Sequence, residues 1–428
     1  MSPIMSEQPP KKTTNRNRYT RIRVRRPAES EDGSFSGVEP EEAVREIPAG
    51  GKRGVRRMKK MTRTLMRLGI VAVVVVMVLT IWVNHDSIAP DGMVYFFKDI
   101  FSPRSTGENF PVQIAGGTVT AIQKTSSGAA MLTDTSLILY DTGGGEIIRR
   151  QHGFARPFLR TSGRWALLAD LDGTGLKIET RGSTRINMSM QHYILSASVN
   201  SSGEFAVVTT STDGYAAEVI VFDRKGTEYY RWCSPELRLT DVELNDDGKT
   251  MVVTGFTGEG GAMKSSLLYF DLSKDKPTAL LSDTDMLMFR AAFMSGGKIA
   301  AVGDAGVWIT DKNGNSPQKT GFDNHVLIGY AISSGQVTTV LRHYGNTDGG
   351  LVMAVSSRGE KLFVHTFAGD YRNIAPCNDG AYLLTSHSLY RTGIDALSPI
   401  AGQTRDGEFV CELGNRPVVV GLTQISRY

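Results

Sequence analysis

Cysteine is scarce in this chain of 428 residues, which contains only three. So few thiols exclude the small secreted domains that are held together by disulfides. Glycine is abundant, with 46 residues, but it does not recur at every third position, which excludes a collagen-like chain. Charged residues make up 21% and hydrophobic residues 40%. This balance excludes a wholly disordered chain and a membrane protein with many spans.

Motifs of catalysis and metal binding are also missing. H-E-x-x-H, C-x-x-C and G-x-S-x-G do not occur. Gly248-Lys-Thr ends like a phosphate-binding loop, but Glu243 stands where that loop requires glycine. The stretch from Asp311 to Asn315 resembles the start of a calcium loop, but Phe322 replaces the final glutamate, which favours a plain hairpin turn. We therefore predict no catalytic, cofactor-binding or metal-binding residues, no cofactor, and a protein that is not an enzyme.

One long uncharged run, residues 68–83, follows a basic N-terminal region. Residues 1–67 contain 17 Lys and Arg against 8 Asp and Glu, whereas the remainder contains 31 against 36. Extended back to Thr64, the run reaches the about 20 residues that a membrane-spanning helix needs. The flank from Lys52 to Arg67 has eight basic residues and no acid, which places the N-terminus in the cytoplasm. We predict a single-pass signal anchor in the cell membrane. The alternatives are a buried strand or core helix and a cleaved signal peptide, although no A-x-A-like site follows the run.

The chain therefore divides into four predicted segments. They are a disordered basic cytoplasmic tail (1–63), a transmembrane helix (64–83), a connector (84–109) and an extracytoplasmic domain (110–428). In the connector, Val94, Phe97 and Phe101 share one helical face. The tail is too polar to fold alone. Its basic block, residues 16–26, suits anionic lipid or an acidic cytoplasmic partner, or it only sets the topology. Nucleic acid is not an expected partner.

From about residue 110 onward, short apolar runs alternate with clusters of Gly, Asp, Asn and Ser, which indicates an all-β domain. A tight turn precedes an apolar strand eight times, and its glycines are Gly128, Gly163, Gly203, Gly248, Gly297, Gly335, Gly380 and Gly414. The steps between these glycines are 35, 40, 45, 49, 38, 45 and 34 residues. This spacing is typical of the four-stranded blades of a β-propeller. Eight blades are favoured, and seven stay open if one divergent copy is an insertion.

Two further features fit a closed ring of blades. Four apolar runs end in an aspartate before a turn, and we interpret these residues as structural: Asp141, Asp223, Asp271 and Asp311. The last repeat has room for two more strands but no fourth. Residues 110–116 precede the first blade and can supply that missing outer strand, which would join the two ends of the domain.

The chemically reactive residues show little pattern. The seven histidines are scattered. Cys377 and Cys411 each precede a turn glycine by three residues, on predicted inner strands of neighbouring blades. Equivalent positions in neighbouring blades are usually too far apart for a disulfide, so we interpret both as packed thiols. Asp241 and Glu243 are inner-strand acids that a metal at the axis would need.

Residues 218–232, Glu-Val-Ile-Val-Phe-Asp-Arg-Lys-Gly-Thr-Glu-Tyr-Tyr-Arg-Trp, resemble WD40-like and quinoprotein-like (PQQ-like) propeller repeats. The whole layout resembles an uncharacterised, Firmicutes-type bacterial family of single-pass membrane proteins with an extracytoplasmic propeller. Only Trp232 lies near the end of a fourth strand, so the resemblance implies no quinone site.

Three functions follow as hypotheses. The first is a membrane-tethered binding or scaffold module for a protein or cell-envelope ligand, without catalysis. The alternative is an extracellular metal-dependent hydrolase or lactonase-like propeller enzyme, with Asp241 and Glu243 at the axis. The third is a signalling receptor whose tail reports ligand binding inward.

Overall fold

The computed structural model describes residues 66, 68–72, 75 and 109–428, apart from 213, 346–347, 394–395, 403 and 405. The chain divides into two units, residues 1–83 and 84–428. The described residues of the first unit are helical. No helix within the described part of the chain is both long and apolar enough to cross a membrane. The predicted tail, most of the predicted span, and the connector up to residue 108 lie outside the described residues.

The second unit is an all-β propeller of eight blades, as the turn spacing predicts. Each blade is a four-stranded antiparallel sheet. Blade 1 contains β2 (Val119–Thr125), β3 (Gly128–Thr133), β4 (Ser136–Asp141) and β5 (Glu146–Gln151), and blade 2 contains β6 (Pro157–Ser162), β7 (Trp165–Asp170), β8 (Gly175–Glu179) and β9 (Thr184–Ser189). Blade 3 contains β10 (Ile194–Val199), β11 (Phe205–Thr209), β12 (Ala217–Phe222) and β13 (Glu228–Ser234), and blade 4 contains β14 (Arg238–Leu244), β15 (Thr250–Glu259), β16 (Ala262–Asp271) and β17 (Thr278–Asp283).

Blades 5 to 8 continue the series with one exception. Blade 5 contains β18 (Met288–Met294), β19 (Lys298–Gly303), β20 (Gly306–Asp311) and β21 (Gln318–Gly321), and blade 6 contains β22 (His325–Ile332), β23 (Gln336–His343), β24 (Gly350–Ser356) and β25 (Lys361–Phe367). Blade 7 contains β26 (Tyr371–Cys377), β27 (Gly380–Thr385), β28 (Ser388–Thr392) and β29 (Leu397–Gly402), and blade 8 contains β30 (Gly407–Leu413), β31 (Arg416–Gly421), β32 (Gln424–Arg427) and β1 (Val112–Gln113). The exception is β1, which comes from the start of the domain.

Strand β1 closes the ring. Val112 pairs with Ile425 and Gln113 with Gln424, so the first strand of the domain is the outer strand of the last blade. Beyond the pair, the backbone N–H of Ile114 donates to the carbonyl of Thr423 at 2.8 Å. The predicted contribution of residues 110–116 to the last blade is confirmed.

Packing between blades explains the apolar runs. A middle strand such as β3 is buried at every residue, because one sheet face meets the preceding blade and the other meets the next. Ala129 and Met131 belong to the hydrophobic cluster shared with blade 8, whereas Ala130 and Leu132 belong to the cluster shared with blade 2. In the described region there are eight such clusters, one for each pair of neighbouring blades.

The turns have the predicted places. All eight turn glycines lie at the junction of the inner and second strands of a blade, and Gly248-Lys-Thr is one of these junctions. At Gly203 the backbone has φ 90°, and a Cβ there would lie 2.5 Å from the Trp165 ring, so only glycine fits without strain. The four predicted aspartates accept hydrogen bonds from backbone N–H groups in the following turn. At Asp311 these donors are Asn313 and Asn315, which confirms a hairpin turn.

The even number of strands in each blade creates two distinct faces. Because the chain crosses the ring four times per blade, it enters every inner strand from the same side. The connections from second to third strand, and those between successive blades, therefore lie on one face, which we call the connection face. The other turns lie on the opposite face, which we call the turn face.

Ile425 tests how much ring closure contributes to stability. It is 3% exposed and packs in the cluster that joins blades 8 and 1. We expect Ile425→Ala to lower the free energy of unfolding by about 2–5 kcal/mol, the usual loss for a buried isoleucine. Ile400→Ala, on the outer strand β29 where the side chain is 38% exposed, should lose less than about 1 kcal/mol. Denaturant unfolding of the full chain measures both, and equal losses would contradict the stabilising role of closure.

Asp311 tests the turn interpretation through pH. Backbone N–H donation from Asn315 and Asn313 lowers the pKa of the Asp311 carboxyl below its ordinary value. Since the folded pKa lies below the unfolded one, this contribution to stability is present above the unfolded value, about 4, and is lost as pH falls through the folded value. The stability difference between wild type and Asp311→Ala should therefore shrink on acidification. A ¹³C NMR titration of the carboxyl group gives the pKa directly, and a value at or above the ordinary one would refute this account.

Candidate functional site

The inner strands enclose a cavity of about 510 Å³ on the propeller axis. Every blade contributes to its lining. The lining residues are Thr120, Ala121, Ile122, Gln123, Lys124, Arg160, Thr161, Ser198, Val199, Glu243, Arg290, Tyr330, Ala331, Ile332, Asn373, Ile374, Ala375, Pro376, Phe409, Val410 and Cys411.

A recurring irregularity helps to orient these side chains. Seven of the eight inner strands have a register shift near their start, and β6 does not. Such bulges change the direction in which the following side chains point. In β10, β14, β18 and β26 the residue just after the shift is polar, and these residues are Ser196, Asp241, Arg290 and Asn373.

Asp241 is the centre of a buried charge cluster. Its Oδ2 accepts a hydrogen bond from Nη1 of Arg290 at 2.8 Å, and its Oδ1 accepts one from Ser196 Oγ at 2.9 Å. The second nitrogen of Arg290, Nη2, lies 3.0 Å from Oε2 of Glu243. Burial works to lower the pKa of Arg290, but Glu243 and Asp241 outweigh it and raise the pKa above its ordinary value. Arg290 is therefore a firmly charged bridge between two carboxylates of one strand.

Arg160 is the less well-paired member of the cluster. Its Nη2 reaches Oδ1 of Asp241 only at 3.5 Å, the outer limit of a hydrogen bond. Its Cζ lies 4.9 Å from the centre of the Phe158 ring. Burial, followed by the positive charge of Arg290, lowers the pKa of Arg160, and the nearby acids offset only part of this. The environment therefore leaves this cation short of hydrogen-bond acceptors.

The rest of the lining combines apolar residues with the polar Thr120, Gln123, Thr161, Ser198 and Asn373. Blades 7 and 8 contribute Ile374, Pro376, Phe409 and Val410. The charge on this side, Lys124, is paired with the buried Glu412 at 2.5 Å. The cavity lining thus combines charged, polar and apolar residues.

The structure places the candidate acids but does not assemble a metal site from them. Asp241 and Glu243 lie near the axis as predicted, but each is engaged by an arginine. Within the described residues, no group of three or more His, Cys, Asp or Glu could hold a metal ion. His325 and His343 are neighbours, with ring centres 5.6 Å apart, because they pair across β22 and β23.

The two inner-strand cysteines are packed thiols, as predicted. Cys377 and Cys411 are buried and form no disulfide. Burial raises the pKa of both, and that of Cys411 to about 12, so both stay protonated at neutral pH. Trp232 lies near the end of β13, a fourth strand as predicted.

Arg160, Arg290, Ser196 and Tyr330 are site residues that sequence reasoning missed. One signal was available for part of the set. Ser196, Asp241, Arg290 and Asn373 each precede their turn glycine by seven residues. A polar residue at the same register of several inner strands predicts convergence at the axis. Arg160 has a different offset, and no such signal identifies it.

Fold and site together define an eight-bladed propeller with a charged axial cavity. The chain belongs to DUF5711, described as a family of unknown function, whose model matches residues 110–393. The match begins in the segment that closes the ring and extends just past β28 of blade 7. No curated protein matches the chain.

Several solved structures are similar at low identity. BamB from Moraxella catarrhalis is 11% identical, with a TM-score of 0.46, over 74% of this chain and 100% of that chain. The WD40 domain of Neurospora crassa Pan2 is 8% identical, with a TM-score of 0.44, over 72% of this chain and 88% of that one. A prolyl endopeptidase structure is 13% identical, with a TM-score of 0.48, over 74% of this chain but only 55% of that chain.

The two axial arginines should respond differently to neutralisation. Arg290→Gln leaves Asp241, which is 3% exposed, without its closest cation. We expect it to lose about 3–5 kcal/mol of stability, the usual result of breaking a buried pair from one side. Arg160→Gln removes a cation with one long hydrogen bond and should change stability by less than about 1 kcal/mol. Denaturant unfolding compares the two, and equal losses would contradict the assignment of Arg290 as the structural member.

Proposed function

We propose that this protein is a membrane-tethered, extracytoplasmic binding module that holds a partner protein on the connection face of its propeller, and that it is not an enzyme. The apolar run at residues 64–83 and its basic flank support a single-pass anchor with a cytoplasmic N-terminus. The basic tail then faces anionic lipid or a cytoplasmic partner. The remaining support comes from the propeller surface.

Exposed apolar side chains concentrate on the connection face, and this observation carries the proposal. Tyr344 is 84% exposed and Leu422 is 74% exposed, each in a connection from second to third strand. The described large apolar residues that are exposed at this face are Tyr193, Tyr215, Met263, Val326, Tyr344 and Leu422. Apolar and aromatic side chains in such positions are typical of contact surfaces for other proteins.

The same face is strongly acidic. Its connections, counted over the described residues, contain one arginine, Arg156, which pairs with Asp172. Against it stand nine acids, all exposed: Asp134, Asp172, Glu236, Asp285, Asp304, Asp323, Asp348, Asp370 and Asp406. Charge complementarity therefore favours a partner with a basic surface.

Blade 4 adds a projecting element to this face. Its strands β15 and β16 have ten residues each, whereas none of the other described strands exceeds eight. The pair runs on in register to Glu259 and Ala262, beyond the length of the neighbouring blades. Such a hairpin offers a partner both an edge and a tip.

The hydrolase alternative depends on Asp241 and Glu243, and both of these acids pair with Arg290. The receptor hypothesis shares the binding step proposed here and differs only in what the tail does.

Crosslinking on intact cells tests the proposal. A membrane-impermeant crosslinker reaches the propeller only if it lies outside the cytoplasm, and mass spectrometry then identifies the captured protein and the crosslinked residues. We expect one enriched partner, linked through the connection face. Neutralising three acids whose carboxylates form no hydrogen bond within the described structure, in the variant E236Q/D285N/D406N, should reduce capture at least tenfold, and Tyr344→Ser should do the same.

Matched changes on other surfaces are the control. The variant D275N/E360Q/D379N removes the same charge from the turn face, and Ile400→Ser changes an outer strand. Both should leave capture unchanged. Capture that depends equally on the two faces, or no capture while the protein is present at the cell surface, would overturn the proposal.

A further inference from the structure

The least satisfied charged group that lines the axial cavity is Arg160. Its guanidinium carries five N–H donors. Among the described residues it makes one hydrogen bond, the 3.5 Å contact with Asp241. Its Nε is buried and has no partner. The Arg160 side chain is 24% exposed, and leaving a buried donor of a cation unpaired is costly, so this group can bind an anion that enters the cavity.

The charged residues around Arg160 determine the sign and the number of charges that a ligand in the cavity can carry. The cluster holds two arginines, Arg160 and Arg290, and two carboxylates, Asp241 and Glu243, and both carboxylates lie closest to Arg290. Lys124 pairs with Glu412. Among these cations within the described residues, the Arg160 guanidinium keeps an unpaired buried donor. Glu243 also lines the cavity and would repel a second negative charge. A single negative charge is therefore favoured over a dianion.

Two other features of the lining describe the rest of the ligand. Tyr330 presents a phenolic hydroxyl to the same cavity, and burial raises its pKa, so it keeps its proton and can donate. Blades 7, 8 and 1 contribute apolar residues to the wall, and these are Ile122, Ile374, Ala375, Pro376, Phe409 and Val410. A cavity of about 510 Å³ lies within the range of small-molecule sites, roughly 300–1,000 Å³.

We propose that the axial cavity is a binding site for a small organic acid, one carboxylate on an apolar body, with the carboxylate on Arg160 and the body against blades 7, 8 and 1. The Arg160 guanidinium and the Tyr330 hydroxyl donate hydrogen bonds to the carboxylate oxygens of the ligand. Arg290 is a positioning residue, because it holds Asp241 and Glu243 and so leaves the Arg160 donors available. This site is separate from the connection face and does not depend on the capture of a partner protein.

Three probes that share one body but differ in head group test the sign of the charge. They are 4-phenylbutyrate, 4-phenylbutyramide and 4-phenylbutylamine, titrated calorimetrically into the full chain at pH 7. We expect the carboxylate to bind at least tenfold more tightly than the amide, as a hydrogen bond to a charged group implies, and the amine to bind least. Equal binding of all three would mean an apolar cavity without charge recognition. Tightest binding of the amine would assign recognition to Glu243. Either result, or no binding of the carboxylate, overturns the proposal.

A pair of variants locates the binding. Arg160→Gln should weaken 4-phenylbutyrate at least tenfold and leave the amide unchanged. Arg149→Gln is the matched control, because Arg149 lies on the outer strand β5 and pairs with Glu146. It should bind 4-phenylbutyrate like wild type. Retained affinity in Arg160→Gln would refute the role of Arg160.

A measurement on the wild-type chain covers the case in which Arg160→Gln does not fold. Phenylglyoxal modifies arginines with free donors, and peptide mass spectrometry maps the sites. We expect 4-phenylbutyrate, but not the amide, to protect Arg160 and to leave modification of the exposed Arg358 unchanged. Modification of Arg160 that is unaffected by the carboxylate contradicts the site.

Discussion

Each blade of this propeller has two apolar faces, and both are buried only when a neighbour lies on each side. Ala130 and Leu132 need blade 2, while Ala129 and Met131 need blade 8. Every blade needs a neighbour on each side in this way, and all apolar faces are buried only when the ring of blades is closed. Closure uses two paired residues of β1, with Ile114 beyond them, so a very short strand completes a circle of eight hydrophobic clusters.

A closed ring also determines the chemistry at its axis. The inner strand of every sheet has a free edge that faces the cavity, and neighbouring inner strands are joined through side chains. Asp241 does this for three blades at once, because it binds Ser196 of blade 3 and Arg290 of blade 5 from its own place in blade 4. The same carboxylate thus contributes to the architecture, and because Arg290 binds it more closely than Arg160 does, the Arg160 donors stay available.

The repeat was predictable because its signals are local. A turn glycine such as Gly163 and a strand-ending aspartate such as Asp223 act within a few residues, so their spacing counts the blades and their chemistry identifies the turns. The charge cluster depends on distant residues. Arg160 is 81 residues from Asp241 and Arg290 is 49 residues from it, and the bulges decide which side chains turn inward. Asp241 and Glu243 could therefore be suspected from the sequence, and the offset from the turn glycine was a signal for Arg290, but no local signal identifies Arg160.

The order of strands in the last blade has a consequence for biosynthesis. Among the 32 strands within the described residues, a ribosome makes β1 first and its partner, β32, last. Throughout elongation, blade 1 has no blade 8 against which to pack, and β1 has nothing with which to pair. Blades 1 to 7 can form their sheets as they emerge, but the circle stays open until residues 424–427 are available. A chain truncated before residue 424 would contain nearly the whole domain with exposed apolar surface at the open seam between blades 8 and 1, and exposed apolar surface makes a chain prone to aggregation and proteolysis.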